Sequence, residues 1–427
     1  MGGGNQIALR QNPVKNLRWI IATLLFLATL INYMDRQLLS VIAPLLRKDL
    51  NLTNTQYAYA INSFLIAYGI MFTVGGRIVD LLHTRRGLAL CLGIWSLASL
   101  LHTVIVGAWD LCIYRFLLGV SEPGNFTASV KAVAAWFPTR ERGVAIGYVV
   151  GGTGIGAIVA PPAAVWLALH FGWRMAFLLP SLGGFLWLPL WFGLYREPEQ
   201  HPRITEAERQ LILSDRAGES RTGKESAPKW SSLLTHSQTW SFILARFFVD
   251  PLGFFYWFWM PSYLVFAKGF NFAQLGKWLW IPYLVQGFGQ IAGGYFSGIL
   301  IRRGMTPVLA RKWGLTVGLL LTPAAILSLA SSQTSTILSY ISIATMGLGW
   351  WGANYNSAVM DSVPRHSVSS VSGLAGSGGV VSSAVVTWFT GYAADHHAYG
   401  PVFLVNSVLM VFSVAATWVL LRKPMEA

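Results

Sequence analysis

The sequence predicts an all-α membrane protein: twelve transmembrane helices in two six-helix bundles, with the N- and C-termini on the cytoplasmic side. Composition is the first observation behind this. Of the 427 residues 54% are hydrophobic and only 11% are charged, where a soluble domain carries about 25% charge, and the mean hydropathy is +0.51. Spacing is the second: apolar runs of about 20 residues, the length that crosses a hydrocarbon core of about 30 Å, recur twelve times. The third is an internal repeat. Gly75-Gly76, an apolar turn and a half, then Arg85-Arg86-Gly87 returns about 218 residues later as Gly293-Gly294 followed by Arg302-Arg303-Gly304, the mark of two parallel structural repeats.

In chain order, residues 1–17 form a polar tail without the apolar core and small-residue cleavage site of a secretory signal. Spans follow at 18–46, 57–81, 87–108, 110–133, 142–169 and 173–195, making an N-terminal bundle over 18–195. Residues 196–237 turn abruptly polar and basic and read as a cytoplasmic linker. Within it Thr205-Glu206-Ala207-Glu208 is a capping-box signature that opens a short amphipathic helix on the membrane face. A C-terminal bundle over 238–421 has spans at 238–266, 274–301, 308–331, 335–360, 368–393 and 400–421, and residues 422–427 are a cytoplasmic tail.

The net charge of +14 and pI near 9.9 would suggest nucleic acid in a soluble chain. Here the 31 Lys and Arg sort by side. With the N-terminus cytoplasmic, only Arg47, Lys48, Arg174, Lys268 and Lys277 lie in outer connections, and Arg36, Arg115 and Arg246 lie within spans. That asymmetry is the positive-inside rule, so the basicity reports topology in a cell membrane and no nucleic-acid partner is expected. Enzyme signatures fail on inspection. Gly218-Glu219-Ser220-Arg221-Thr222-Gly223-Lys224 imitates a phosphate-binding loop, but Glu225 stands where a Ser or Thr should reach magnesium, and no strand precedes it. Gly347-Leu348-Gly349-Trp350-Trp351-Gly352 lies inside an apolar span, where its glycines permit close helix packing. The eight His show no metal-ligand spacing, and Cys91 and Cys112 read as small core residues. No cofactor or metal is expected, and the reading is of a lipid-embedded monomer.

Charged groups in hydrocarbon are costly and mark ligand or ion pathways. Asp35, Glu122 and Asp250 are the deeply placed acids, and Arg36, Arg115 and Arg246 the bases. Asp35 and Arg36 are adjacent and point in different directions. Arg115 and Glu122, seven apart, share a helix face at roughly 10 Å separation, and Arg246 and Asp250, four apart, are within pairing reach. A buried carboxylate can hold a proton and release it when its surroundings change, and an Arg offers a planar fork to a carboxylate ligand. Together they suit a proton-coupled anion carrier; the structural alternative is internal pairs that fix helix register.

These residues resemble the major facilitator superfamily, and more closely its anion:cation symporter branch, in the group of the aldohexuronate transporters. Asn32-Tyr33-Met34-Asp35-Arg36-Gln37, Arg115 with Glu122, Gly124-Asn125-Phe126 and Lys131-Ala132-Val133-Ala134-Ala135-Trp136-Phe137-Pro138 are similar to the branch's first and fourth helices. Asp250-Pro251 with Phe255-Tyr256, and Gly349-Trp350-Trp351 with Ala353-Asn354 and Asp361, resemble the hexuronate group's seventh and tenth. The resemblance implies proton-driven import of a hexuronate, such as galacturonate or glucuronate, by alternating access. It implies that Arg36 binds the substrate carboxylate with Tyr33 and Tyr68. Thr153, Tyr256, Tyr283, Gln286, Asn354 and Asn356 would be further substrate contacts. Asp35 and Glu122 would carry protons, with Arg115 holding Glu122 ionised. Arg246 and Asp250 would form a gate or charge pair, and Gly76, Asp80, Arg85 and Arg86 a conformational loop. Leu81 and His83 depart from the Arg and Gly usual in that loop, Pro123 follows Glu122 where Ala is commoner, and Gly253 and Asn356 replace bulkier residues. The rival readings are another sugar acid (an aldonate or aldarate), another small organic anion, or an uncoupled facilitator.

Overall fold

The computed structural model describes residues 14–219, 230–364 and 367–425, with the side chains at 73, 75–77, 80 and 215–219 outside that description. The helices are α1 (Leu17–Asp49), α2 (Asn54–Leu101), α3 (Ala108–Ser121), α4 (Pro123–Trp136), α5 (Thr139–Phe171), α6 (Trp173–Leu194), α7 (Glu206–Glu219), α8 (Trp230–Leu233) and α9 (Ser237–Phe258). They continue with α10 (Met260–Phe266), α11 (Phe272–Trp278), α12 (Trp280–Arg302), α13 (Pro307–Leu321), α14 (Ala324–Leu327), α15 (Thr334–Ser362), α16 (Val368–Asp395) and α17 (Tyr399–Leu420). Among the described residues, nine helical stretches are long and apolar enough to cross a membrane. Leu186, Ile291, Leu320 and Val411 are among the large apolar side chains they leave exposed, as a lipid-facing exterior requires.

Two breaks matter for the site. α2 is two helices joined at His83, whose φ of 60° and ψ of 157° are not helical. The arms fold back on each other, so that a Cβ on Gly87 would lie 3.2 Å from Val79 Cα. At the other break, α3 passes into α4 through Glu122 with helical angles, φ −60° and ψ −40°. Pro123 stands at the first position of α4; lacking an N–H, it cannot make the bond to the Gly119 carbonyl that would join the two helices without a break.

Helices α1–α6 pack mainly on one another, as do α9–α17, and the two sets meet where α2 lies on α16, α5 on α11 and α12, and α1 on α9 and α10. Glycines set the closest approaches. A Cβ on Gly152 would lie 2.7 Å from Phe26 O and one on Gly156 2.7 Å from Leu30 O, so α5 lies directly on the backbone of α1. Gly347 meets the backbone of Gly318, and Gly349 that of Gln286. Two glycines of the apparent dinucleotide motif, Gly347 and Gly349, are therefore packing residues, as expected from their place in an apolar span, whereas a Cβ on Gly352 would meet open space. The repeat extends further than the Gly-Arg motif: Thr53 with Gln56 and Asn271 with Gln274 form capping boxes 218 residues apart, opening α2 and α11.

The linker helix docks instead of standing free. Thr205 accepts from Glu208 N at 3.3 Å, one half of the expected capping box. The Glu208 carboxylate reaches another helix, accepting from Leu17 N and Arg18 N at 3.1 Å each, and from Arg18 Nη1 at 2.8 Å. A carboxylate there satisfies free N–H groups and complements the positive end of α1. Arg18 also donates from Nε to Glu141 at the start of α5, and Val14 pairs with Ile204.

Candidate functional site

Along α1, residues 35–44 are buried without interruption, polar and apolar side chains alike. Arg36 is 4% and Glu122 2% exposed. Arg36 donates from Nε at 2.8 Å and Nη2 at 2.5 Å, both to Glu122 Oε2, while Glu122 Oε1 has no hydrogen-bond partner among the described residues. The guanidinium carbon lies 4.7 Å from the Tyr33 ring centre and 4.8 Å from that of Tyr68, a desolvated cation–π arrangement that fixes the plane of the fork.

A cavity of about 330 Å³ opens onto this pair. Thr29, Asn32, Asn125 and Thr153 supply polar wall from the first half of the chain, and Arg246 and Asn356 from the second. An adjoining cavity of about 280 Å³ shares Arg246 and Asn356 and adds Asp250, Gln286 and Gln290. Tyr33 and Trp257 meet edge to face, 6.5 Å between ring centres, one ring lining each cavity. Arg246 donates from Nε to Asp250 Oδ2 at 2.9 Å, and its Nη2 lies 2.7 Å from the same oxygen. The glycine-rich stretch of α16 accommodates this second pair: any side chain at Gly379 would collide with the Asp250 carboxylate, and a Cβ on Gly376 would lie 3.1 Å from Arg246 Nη1.

Asp35 faces away from the cavity, as adjacency to Arg36 on a helix demands. Its Oδ1 accepts from Ser99 Oγ at 3.0 Å, and Oδ2 has no hydrogen-bond partner among the described residues. Arg115 is 1% exposed, and its three guanidinium nitrogens make no hydrogen bond among the described residues. Glu122 thus pairs with Arg36 on a different helix and not with Arg115 on its own continuous helix. His102, fully buried, stacks on Phe177 with ring centres 5.1 Å apart.

The structure gathers Tyr33, Arg36, Tyr68, Thr153, Arg246, Asp250, Gln286 and Asn356 around the two cavities. Three other expected contacts lie elsewhere. Asn354 donates to Gly293 O and Trp350 O at 3.0 Å each, holding α12 to α15. Tyr283 OH donates to Tyr256 O at 3.2 Å and approaches Gln37 at 3.5 Å, and the buried Tyr256 hydroxyl has no hydrogen-bond partner among the described residues. Arg85 donates to Phe192 O, and its own carbonyl accepts from Trp191 Nε1 at 2.9 Å; Arg86 is exposed. The side chains of Gly76 and Asp80 lie outside the described residues. Ser99, Asn32 and Asn125 were not singled out as site residues from the sequence; their place beside Asp35 or on the cavity wall is set by packing between helices.

At one end of the molecule the halves are tied together. Asp395 accepts from Asn54 N at 2.7 Å and Thr55 N at 2.9 Å, and from both side chains, while Tyr57 OH donates to Phe258 O at 2.9 Å.

Residues 25–387 match the family model described as Major Facilitator Superfamily. The chain belongs to that superfamily. It is therefore a multi-pass cell-membrane transporter, not an enzyme. It is similar to the hexuronate transporter of Escherichia coli (strain K12), 28% identical over 96% of this chain and 95% of the relative. It is also similar to the galacturonate transporter of Dickeya chrysanthemi, 31% identical over 72% and 90%, and to a probable galactarate/D-glucarate transporter of Bacillus subtilis (strain 168), 30% identical over 89% and 86%. Among solved structures, a bacterial homologue of the human lysosomal transporter Spinster, inward-facing and unoccupied, superposes with a TM-score of 0.78 at 18% identity, covering 97% of this chain and 99% of that one. A D-xylose–proton symporter follows the same course with a TM-score of 0.72 at 14% identity over 95% and 98%. At these identities the two structures speak to the fold of this facilitator alone.

Proposed function

We propose that this facilitator is a proton-coupled symporter that imports a hexuronate, such as galacturonate or glucuronate, by alternating access. The observation that carries the reading is the Arg36–Glu122 pair on the cavity wall, an anion-binding fork paired with an internal carboxylate. An arriving substrate carboxylate takes the place of Glu122, and Glu122, losing its counter-charge in a low-dielectric site, takes a proton. Tyr33 and Tyr68 hold the fork in plane. Thr153, Gln286 and Asn356 offer hydrogen bonds to sugar hydroxyls, and Asp35, held by Ser99, is a second proton-carrying acid. The names of the relatives support a sugar acid as the class of substrate.

In this reading the nine apolar stretches, with the first arm of α2, the α3–α4 pair and α15, make twelve crossings in two bundles. Both termini are cytoplasmic. The bonds of Asp395 and Tyr57 then close the outer face, so that this conformation releases substrate to the cytoplasm. Uptake of labelled galacturonate by proteoliposomes, with and without an inward proton gradient, tests the function. Accumulation above equilibrium only with the gradient is expected, and Arg36→Ala should abolish binding. Equal entry under both conditions would leave an uncoupled facilitator instead.

A further inference from the structure

Four charged side chains line the two adjoining cavities among the described residues, Arg36 with Glu122 and Arg246 with Asp250, and their formal charges cancel. A ligand with one carboxylate that arrives with one proton for Glu122 leaves the sum at zero. A ligand with two carboxylates and the same single proton leaves an unbalanced negative charge in a site walled by apolar rings, and burying an unpaired charge is strongly unfavourable. The second pair is built to stay paired: Arg246 commits both Nε and Nη2 to one oxygen of Asp250, and Gly379 leaves room for that carboxylate and nothing larger than hydrogen. By the 218-residue repeat, the counterpart of Asp250 on α1 is Asn32, a neutral amide that lines the same cavity system. The carboxylate is thus a charge that the second half holds and the first half lacks at the equivalent place.

We propose that Asp250 is a specificity-determining residue that sets the charge of the accepted ligand. While it neutralises Arg246, the far end of the cavity receives a neutral, hydroxyl-bearing end of a sugar acid whose one carboxylate lies on Arg36. With Asp250 neutralised, Arg246 is free to seat a second carboxylate. The inference rests on the assignment of Arg36 as the carboxylate site.

The test is competition for binding to the purified full chain by galacturonate, with one carboxylate, and galactarate, with two. Wild type should favour galacturonate by about tenfold or more. Asp250→Asn should shift the ratio toward galactarate by at least about tenfold, and Asp250→Glu, which keeps the charge, should not. Adding Arg246→Gln to Asp250→Asn should remove the gain. Asp250→Ser, a smaller neutral replacement, gives the same reading if the amide variant does not fold. Equal affinity of the wild type for both acids, or an unchanged ratio in the neutral variants, overturns the proposal. Failure of wild type to bind galacturonate would overturn the hexuronate reading alone; the assignment of Asp250 would then be decided by the same ratio measured with gluconate against galactarate.

Discussion

Replacing Glu122 by Gln keeps the length of the side chain and an oxygen for Arg36 but removes the charge and the titration. Arg36 makes two charge-assisted contacts to Glu122 Oε2, at 2.8 and 2.5 Å, with both side chains almost wholly buried. Breaking such a pair with nothing in exchange costs about 3–5 kcal/mol, so a substrate carboxylate competes poorly while Glu122 is ionised and well once it is protonated. If binding takes up one proton, affinity rises as pH falls, by up to about tenfold per pH unit, or about 1.4 kcal/mol. It levels off once Glu122 is already protonated in the empty site. In Glu122→Gln the slope should vanish, binding and counterflow exchange should persist, and proton-driven accumulation should fall to the equilibrium level. Isothermal titration across pH and gradient-driven uptake in proteoliposomes measure the two. A wild-type pH slope or normal uphill accumulation in Glu122→Gln would refute the assignment and move the coupling proton to Asp35.

Three further outcomes follow from the packing and the linker. Gly156→Ala drives a methyl toward Leu30 O and should cost about 1–3 kcal/mol by overpacking, whereas Gly154→Ala, with nothing within 4 Å of the added carbon, should leave the melting temperature of the detergent-solubilised protein unchanged. His83→Gly should relieve about 1–3 kcal/mol of backbone strain, partly offset by about 0.5–1 kcal/mol of added chain entropy; a lower melting temperature would contradict the strained geometry. His201 accepts from Arg203 N at its Nδ1, which leaves Nε2–H to donate to Leu194 O. Burial, with Arg196, Arg203 and Arg209 nearby, holds its pKa below the ordinary value despite that bond to Leu194. The folded state thus binds this proton less readily than the unfolded state, so the stability it contributes is full above about pH 6.5 and is lost as pH falls below it. The drop in melting temperature between pH 7.5 and 5.5 should be smaller in His201→Gln than in wild type.

Much of the site was legible because charge in an apolar span is conspicuous. Arg36, Glu122, Arg246 and Asp250 announce themselves, and the spacing of four between Arg246 and Asp250 correctly implied a pair, since both lie on one helix whose geometry is fixed locally. The spacing of seven between Arg115 and Glu122 put them on one face, but it could not show that the hydrogen-bonded partner of Glu122 is Arg36 on another helix. Asn354 and Tyr283 were expected as substrate contacts through the family resemblance; in the structure one ties α12 to α15 and the other reaches across to α1.

The sequence by itself determined what depends on local composition and period: a helical membrane chain, its two repeats, the polar linker, and the few ionisable groups that hydrocarbon would not tolerate without a purpose. Only the tertiary structure decided which of those groups meet across helices. That choice depends on how closely helices distant in sequence approach, and it is governed by Gly152 and Gly156 against α1, Gly119 against α2, and Gly379 against Asp250. A glycine reads the same in a sequence whether it faces lipid or another backbone, so the partner it admits becomes visible only once the helices are packed.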